Sequence, residues 1–475
     1  SSRAKTKAAK AVEVSGEMNE NLANSIDVIL EFAGVENDTA DAFRKAIHKF
    51  KQLPDKAATD DNARRLRNEI TKLFYEIYVD TFRESIRNYD IPTVVKMFLN
   101  FGYVDAELAG IENANYLYSI AEDYRGDSGR GVYTAYEWLE AIYNQEKDPS
   151  RNELDTDFLS YLHEQRVKGE IDEHTERRKA NDPTERLLFE INNMFPSVNK
   201  VTYGRISIFC PIFSEHNVIK PLQSCIVDPD KLMDCLTRLE KVDYGAFYRE
   251  TVYVNEDCGI PKEFINVRIT PDIIIFPNVG TRGVMWQEIE GRKRTTPARF
   301  MISAFHIEDL DATFTRLVGE YRWEMCKRIQ GARWNDIGDR SLTSEYFDYV
   351  QFYKKNSELS AEAKEKIKNS LVKAKNSYKE MFVRDYVTWV IFEGAGSPRL
   401  NKLARGIIFT YCPFNKELRE SLGKNPIYKE FVEHFNVRLQ QKLHHIDNVI
   451  KKIDASGQSV PQEILINRAF VEGTL

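Results

Sequence analysis

The sequence has few cysteines for its length, and no two of them are close together. Its 475 residues include six, Cys210, Cys225, Cys235, Cys258, Cys326 and Cys412. No Cys-x-x-Cys pair occurs, which argues against a zinc knuckle and against a disulfide framework. Because scattered cysteines with apolar neighbours usually fill core space, they favour a reducing compartment, and we expect a cytoplasmic protein.

The sequence also lacks a long apolar run and a strong charge of either sign. No run approaches the roughly 18 residues that span a bilayer, and no apolar stretch of a secretory signal follows the first basic residues. We therefore expect no membrane association. A net charge of -6 excludes a global basic field for holding nucleic acid, so such contact would need a local basic patch.

Several common catalytic motifs are absent as well. The chain has no GxxxxGK[ST], no GxSxG and no HExxH. The Gly394-x-Gly396 pair follows a predicted helix rather than a strand, which excludes a dinucleotide fingerprint. No cofactor is evident from these patterns.

Length and periodicity predict a multi-module α+β protein that is mostly helical, with a smaller central antiparallel β region. The length alone suggests roughly three domains. We expect a flexible tail at residues 1–14 and an N-terminal helical module at 15–180. A central mixed module with strands is predicted at 195–305, and a C-terminal helical module at 306–475.

Apolar residues recur at helical spacing in several segments. One predicted helix covers 63–88, and a last amphipathic helix is predicted at 427–452. A further apolar stripe runs from Ile367 to Met381, and the sequence predicts one helix for it, with Ser360 near the N-cap.

The central segment has strand patterns instead. Ile265, Val267 and Ile269 alternate with polar residues, as in a half-buried strand. The apolar run 273–276 predicts a strand that is buried on both faces, and 284–290 predicts a return strand.

Three carboxylates in this segment form the main candidate for a catalytic site. Asp272 precedes the buried strand, and Glu288 and Glu290 share one face of the return strand. If the two strands pair as a hairpin, these side chains converge, and the repulsion between them would be relieved by Mg²⁺ or Mn²⁺. Asp272 and Glu288 are then the candidate metal ligands. The candidate phosphate contacts are Arg292, Lys293 and Arg294, together with Arg299.

Pro271-Asp272 followed by Glu288-Ile289-Glu290 resembles the PD-(D/E)xK nucleases over about 20 residues. The resemblance implies a metal-dependent nuclease, with Glu290 at the position where lysine is usual. The alternative, which we favour, is that Glu288 and Glu290 face solvent beside arginines and that Asp272 only begins a strand.

Two other groups of residues are weaker candidates. Basic and aromatic residues alternate between Arg316 and Trp334, which suits either a nucleic-acid surface or a buried aromatic face with ion-paired arginines. His444, His445 and Asp447 suit either a metal site or an ordinary helix surface. We favour the second alternative in both cases.

Three stretches, 284–291, 322–328 and 397–402, are similar to bacterial proteins labelled as cyclic-nucleotide-binding-domain (Crp/Fnr-like) proteins. That resemblance implies a signalling role and a nucleotide-binding β-roll. The phosphate cassette of such a roll, a Gly-Glu pair followed by Arg-Ser/Thr-Ala, does not occur in this chain. No functional residue is therefore carried over from the resemblance.

Three functions follow as expectations. The first is a non-enzymatic regulatory or scaffolding protein that acts through a protein or a small ligand, with a protein partner or an upstream module. The second is a metal-dependent phosphodiesterase or nuclease that uses Asp272, Glu288 and Glu290. The third is a structural subunit of a larger assembly.

Overall fold

The computed structural model describes residues 20–54, 60–149, 158–194, 222–286 and 297–474. Helices account for 66% and strands for 10% of the structure, which confirms the mostly helical α+β class. The predicted tail at 1–14 lies outside the described residues. In the part of the chain that is described, no helix is long and apolar enough to cross a membrane.

The chain divides into two compact units, each built from separate stretches of sequence. The first takes in the described residues up to 231 together with 272–286 and 299–309, and the second takes in 232–271, 297–298 and 310–474. The strands of the predicted central module are therefore shared between the two units. The strands are β1 (Val132–Thr134), β2 (Tyr248–Asn255), β3 (Ile260–Arg268), β4 (Asp272–Gly280), β5 (Gly283–Trp286) and β6 (Arg299–His306).

Helices surround a four-stranded sheet in the first unit. They are α1 (Ser25–Ala33), α2 (Asn37–Lys51), α3 (Asp61–Arg87), α4 (Thr93–Phe101), α5 (Ala106–Ala109), α6 (Ile111–Ile120), α7 (Ala135–Tyr143), α8 (Phe158–Val167), α9 (Glu173–Asn181), α10 (Pro183–Met194) and α11 (Leu222–Cys225). The predicted helix at 63–88 is α3. Its residues Ile70, Phe74 and Ile77 are fully buried, because their spacing places them on one face.

The sheet has the strand order β1-β4-β6-β5. β4 pairs in parallel with β1 and β6, and β5 is an edge strand antiparallel to β6. The predicted burial of Ile273–Phe276 on both faces is confirmed, since all four side chains are buried and successive side chains point to opposite faces. A register shift follows Phe276, where Pro277 has no N–H to donate.

The hairpin on which the three-carboxylate prediction depended is not formed by β4 and β5. β6 lies between them, and β4 has only parallel neighbours within the described sheet. β6 is buried along its whole length, so the centre of the sheet is the position that removes most apolar surface from water.

The second unit is a helical assembly with a two-stranded antiparallel hairpin of β2 and β3. Its helices are α12 (Pro229–Val242), α13 (Leu310–Gln330), α14 (Leu342–Phe352), α15 (Ala361–Lys373), α16 (Tyr378–Ile391), α17 (Lys402–Tyr411), α18 (Lys416–Leu422), α19 (Pro426–Ala455) and α20 (Gln462–Glu472). α19 is the predicted last amphipathic helix, and α20 follows it. One face of the hairpin packs Tyr253 and Ile265 against Ile453 of α19 and Ile464 of α20.

The single helix predicted for the stripe from Ile367 to Met381 is wrong. α15 ends at Lys373, and Lys375 and Asn376 take positive φ angles of 52° and 58°. Ser377 then caps α16 by accepting a hydrogen bond from the Glu380 backbone N–H at 3.2 Å. The polar turn residues end the helix although the apolar spacing continues through them. The N-cap predicted at Ser360 is confirmed, since its hydroxyl accepts from the Ala363 N–H.

Candidate functional site

Asp272 lies at one end of the strands, where β4 and β6 begin and the antiparallel strand β5 ends. Arg299, the first residue of β6, is paired with Asp272 on one side and with Trp286, the last residue of β5, on the other. The three residues therefore form one row across the sheet. Glu288, Glu290 and the basic run 292–294 lie outside the described residues, and their assignments stay predictions.

Asp272 is buried, with 6% of its surface exposed. Both carboxylate oxygens accept hydrogen bonds from the Lys147 ammonium group, each at 3.2 Å. Burial raises the pKa of Asp272 above its ordinary value, and this effect outweighs the opposing influence of Lys147 and Arg299. Lys147 and Arg299 therefore only partly offset the free-energy cost of removing the ionised Asp272 carboxylate from water.

A second buried carboxylate, Glu190 of α10, lies nearby. It accepts a hydrogen bond from the Trp138 indole N–H at 2.9 Å and forms an ion pair with Arg299 at 3.5 Å. The Arg299 guanidinium lies 4.9 Å from the centre of the Trp138 ring and also donates to the Asp148 carbonyl oxygen. Glu190 therefore holds the arginine that is paired with Asp272 in the sheet.

The turn after α7 positions Lys147. Gln145 takes a positive φ of 63° in this turn. The buried guanidinium of Arg186 donates to the Lys147 carbonyl at 2.8 Å and to an Asp148 carboxylate oxygen at 3.1 Å. These bonds fix the backbone from which Lys147 reaches Asp272.

The described residues at this end of the strands form a charge-balanced network. Asp272, Glu190 and Asp148 are each paired with a cation. Among the described ranges, no group of three or more His, Cys, Asp or Glu side chains is arranged to hold a metal ion. Burial raises the pKa of Asp272, and buried carboxyl groups with a shifted pKa are candidates for proton exchange.

Sequence reasoning found Asp272 and named Arg299 only as a phosphate contact, and it missed Lys147 and Glu190. Lys147 is 125 residues away from Asp272 in the chain, so no local spacing connects them. The position of Arg299 could have been predicted, because it begins a second apolar run with strand character soon after the candidate carboxylates in the sequence.

The interpretation that we favoured for the basic and aromatic residues of α13 is confirmed. Trp323 is 2% exposed, Arg316 pairs with Glu380 at 2.6 Å, and Arg322 pairs with the buried Asp243. The surface interpretation of the histidine pair is supported too: His445 contacts Glu263 at 2.7 Å, and Asp447 pairs with Arg468 at 2.9 Å.

A second candidate site is the outer face of the β2–β3 hairpin. Val252 and Val254 are each 54% exposed and Phe264 is 51% exposed. Val252 and Phe264 are direct cross-strand partners, so the three side chains form one apolar patch. The Lys262 ammonium group lies 4.7 Å from the centre of the Phe264 ring.

The two edges of this hairpin differ. On the β3 side, Asn467 of α20 accepts a hydrogen bond from the Asn266 backbone N–H at 2.8 Å. On the other side, β2 pairs with no further strand within the described residues. The sequence predicts this face in one respect. Val252 and Val254 are two residues apart on either side of Tyr253, so in a strand they lie on the same face.

Comparison with known proteins adds a family match but no activity. The model of a domain of unknown function, DUF8509, matches residues 331–470, within the second unit. No curated protein and no solved structure matches the chain.

Proposed function

We propose that the chain is a regulatory or scaffolding protein that binds a partner protein at the β2–β3 hairpin. The observation that carries this proposal is the outer face of the hairpin, where Val252, Val254 and Phe264 are each more than half exposed. Large apolar side chains that are adjacent and exposed are typical of interaction surfaces.

An extended strand of the partner is the occupant that fits this face. β2 offers a strand edge with no neighbouring strand among the described residues, and such edges are normally covered. A strand added there would continue the backbone hydrogen-bond ladder and place alternate side chains beside Val252 and Val254. Glu250 and Lys262, both exposed, would form a polar rim around the apolar contact.

Site-directed photo-cross-linking in cells tests this proposal. A photoreactive amino acid is placed at Val254, and a control is placed at Val372, an exposed residue of α15 that is 69% accessible. We expect one discrete adduct from position 254 that is absent from position 372.

The protein in that adduct is then purified and titrated against the wild-type chain and a Val252→Thr/Phe264→Thr variant. We expect affinity to fall about tenfold or more, as for central apolar contacts in interfaces. Equal labelling at both positions, or equal affinity of both chains, would overturn the proposal. A complex that stays stoichiometric throughout purification would favour the structural-subunit alternative.

A second candidate function is metal-dependent phosphodiester hydrolysis. It is supported by one observation: Trp286, two residues before Glu288 in the sequence, lies in the same cross-strand row as Asp272. Calorimetric titration of Mn²⁺ and Mg²⁺ into the wild-type chain, Asp272→Asn and Glu288→Gln tests it. Saturable binding that both substitutions abolish would support this function. Heats that do not differ between the wild-type chain and the two variants would contradict it.

A further inference from the structure

A lysine-rich surface lies on the second unit, along α15 and the short turn that precedes it. Residues 354–375 contain seven lysines and three glutamates, a net charge of +4 in a chain whose net charge is -6. The lysines are Lys354, Lys355, Lys364, Lys366, Lys368, Lys373 and Lys375. Six of them are exposed, and Lys364 is half-buried. This surface is therefore basic in a chain that is acidic as a whole.

Most of these positive charges have no carboxylate partner. Lys366 forms an ion pair with Glu362 at 3.4 Å, whereas the other six lysines form no ion pair with any residue that the structure describes. Lys364 and Lys368 lie one helical turn apart on α15, so their like charges repel each other. An anion that contacts both would relieve this repulsion.

The turn and the helix contribute to one continuous surface. Tyr353 begins the short turn Tyr353–Lys355. Burial raises the pKa of Tyr353, and the charge of Glu365 on α15 raises it further. Because this influence requires the two segments to lie side by side, Lys354 and Lys355 belong to the same surface as the lysines of α15.

The backbone at Lys375 does not explain the lysine there. Lys375 takes a positive φ of 52° directly after α15, a conformation that glycine adopts at a lower cost than lysine. Asn376, which follows with a φ of 58°, suits such a turn. The contribution of Lys375 is thus its charged side chain, which is exposed beside Lys373.

We propose that this surface binds the phosphate backbone of double-stranded nucleic acid. Lysine ammonium groups contact phosphate oxygens without reading the bases. A duplex carries one charge per roughly 1.7 Å of its axis, so lysines spread along the roughly 20 Å length of α15 can contact phosphates at the same time.

The composition of α15 favours a duplex over other polyanions. The helix has no aromatic residue on which unpaired bases could stack. An anionic membrane is not favoured, because α15 buries Ile367 against the protein and exposes one large apolar side chain, Val372. A helix that lies in a membrane surface turns its apolar face towards the lipid instead.

Fluorescence anisotropy with a labelled DNA duplex of about 20 base pairs, which is longer than α15, tests the proposal. The surface variant is Lys368→Gln/Lys373→Gln/Lys375→Gln. The matched control removes the same charge from exposed lysines of α19, in Lys429→Gln/Lys442→Gln/Lys452→Gln. We expect affinity to fall about tenfold or more in the surface variant and less than about twofold in the control.

The salt dependence of binding checks that the lysines contact phosphates. Each such lysine releases counterions, so the slope of log affinity against log salt concentration should become shallower by about 0.9 for each lysine removed. Replacing the same three lysines with arginine keeps the charge and should keep the affinity. Thermal denaturation of each variant verifies folding.

Lys375→Gly separates binding from stability. Glycine fits the positive φ at this position, so we expect a melting temperature at least as high as that of the wild-type chain. Duplex affinity should nevertheless fall about twofold to threefold, because one phosphate contact is lost.

The assignment is overturned if the duplex does not bind at low salt or if the surface and control variants bind it equally well. Tighter binding to phosphatidylserine vesicles than to the duplex would assign the surface to a membrane, and tighter binding to polyglutamate would assign it to an acidic protein. The hairpin variant Val252→Thr/Phe264→Thr should bind the duplex as the wild-type chain does. This result keeps the test independent of the partner proposed for the hairpin.

Discussion

Two buried carboxylates, one in each unit, have pKa values that are shifted in opposite directions. Glu393 in the second unit is fully buried and accepts hydrogen bonds from the Arg399 and Leu400 backbone N–H groups, each at 2.8 Å. The Arg405 guanidinium and the Tyr428 hydroxyl complete its shell. Burial pushes the pKa of Glu393 upward, but these hydrogen bonds together hold it below its ordinary value.

Asp272 in the first unit is nearly as buried but accepts hydrogen bonds from Lys147 alone among the side chains described around it. Burial therefore dominates, and its pKa is raised. The comparison indicates that the number of hydrogen-bond donors decides whether the pKa of a deeply buried carboxylate is raised or lowered. We therefore expect Glu393 to be a structural anchor and Asp272 to be the carboxyl group that can exchange a proton.

The largest expected effect is on the anchor. Glu393→Gln leaves the Arg405 guanidinium buried without a charged partner, and we expect the free energy of unfolding to fall by about 3–5 kcal/mol. Chemical denaturation compared with Glu417→Gln, on the first turn of α18, measures it. A loss below about 1 kcal/mol would remove the distinction between the two sites.

Removing the partner of Asp272 should cost less. Lys147→Met leaves the carboxylate buried with no ammonium group, and we expect a loss of about 1–3 kcal/mol at neutral pH. The loss should shrink in acid, where Asp272 becomes protonated. Denaturation at two pH values checks this, and a loss that does not change with pH would contradict the role of Lys147.

Asp272→Asn should have a still smaller effect. The amide has nearly the same shape, and Lys147, whose side chain is 29% exposed, can recover contact with water. We expect a change within about 1 kcal/mol of zero, because exchanging a buried charge for a neutral group is often close to neutral. A loss as large as that of Glu393→Gln would show that Asp272 is an anchor too.

The most sensitive test is the sign of the pH dependence. Because the pKa of Asp272 is raised on folding, its stabilising contribution is complete below the ordinary carboxyl pKa and is lost as pH rises through the folded pKa. Because the pKa of Glu393 is lowered, its contribution is present above the ordinary pKa and is lost as pH falls through the folded one.

The stability difference between wild type and each variant, measured from about pH 3 to about pH 7, should therefore slope in opposite directions for Asp272→Asn and Glu393→Gln. Parallel slopes would break the comparison.

Two stretches that resemble Crp/Fnr-like proteins have structural roles here. The 397–402 stretch supplies the two backbone N–H groups that bind Glu393. Arg322, which begins the 322–328 stretch, pairs with the buried Asp243. The cyclic-nucleotide role implied by the resemblance stays a prediction.

The sequence by itself determined the class of the protein and most of its local structure. Period-3.6 spacing predicts α3 and α19, and the apolar run predicts the buried strand β4, because an element must turn its apolar residues away from water wherever it packs. The break between α15 and α16 is not predicted, since apolar spacing registers neither the positive φ angles of Lys375 and Asn376 nor the Ser377 side chain that caps the start of α16.

Only the tertiary structure decided which strands are neighbours and which charges meet. Placing β6 between β4 and β5 depends on burying two apolar strands at the centre of one sheet, a non-local packing requirement that no short pattern contains. The same holds for Asp272 and Lys147, which meet across 125 residues. The spacing of apolar residues predicts which face of a helix or strand is buried. Only the tertiary structure determines which residue compensates a buried charge.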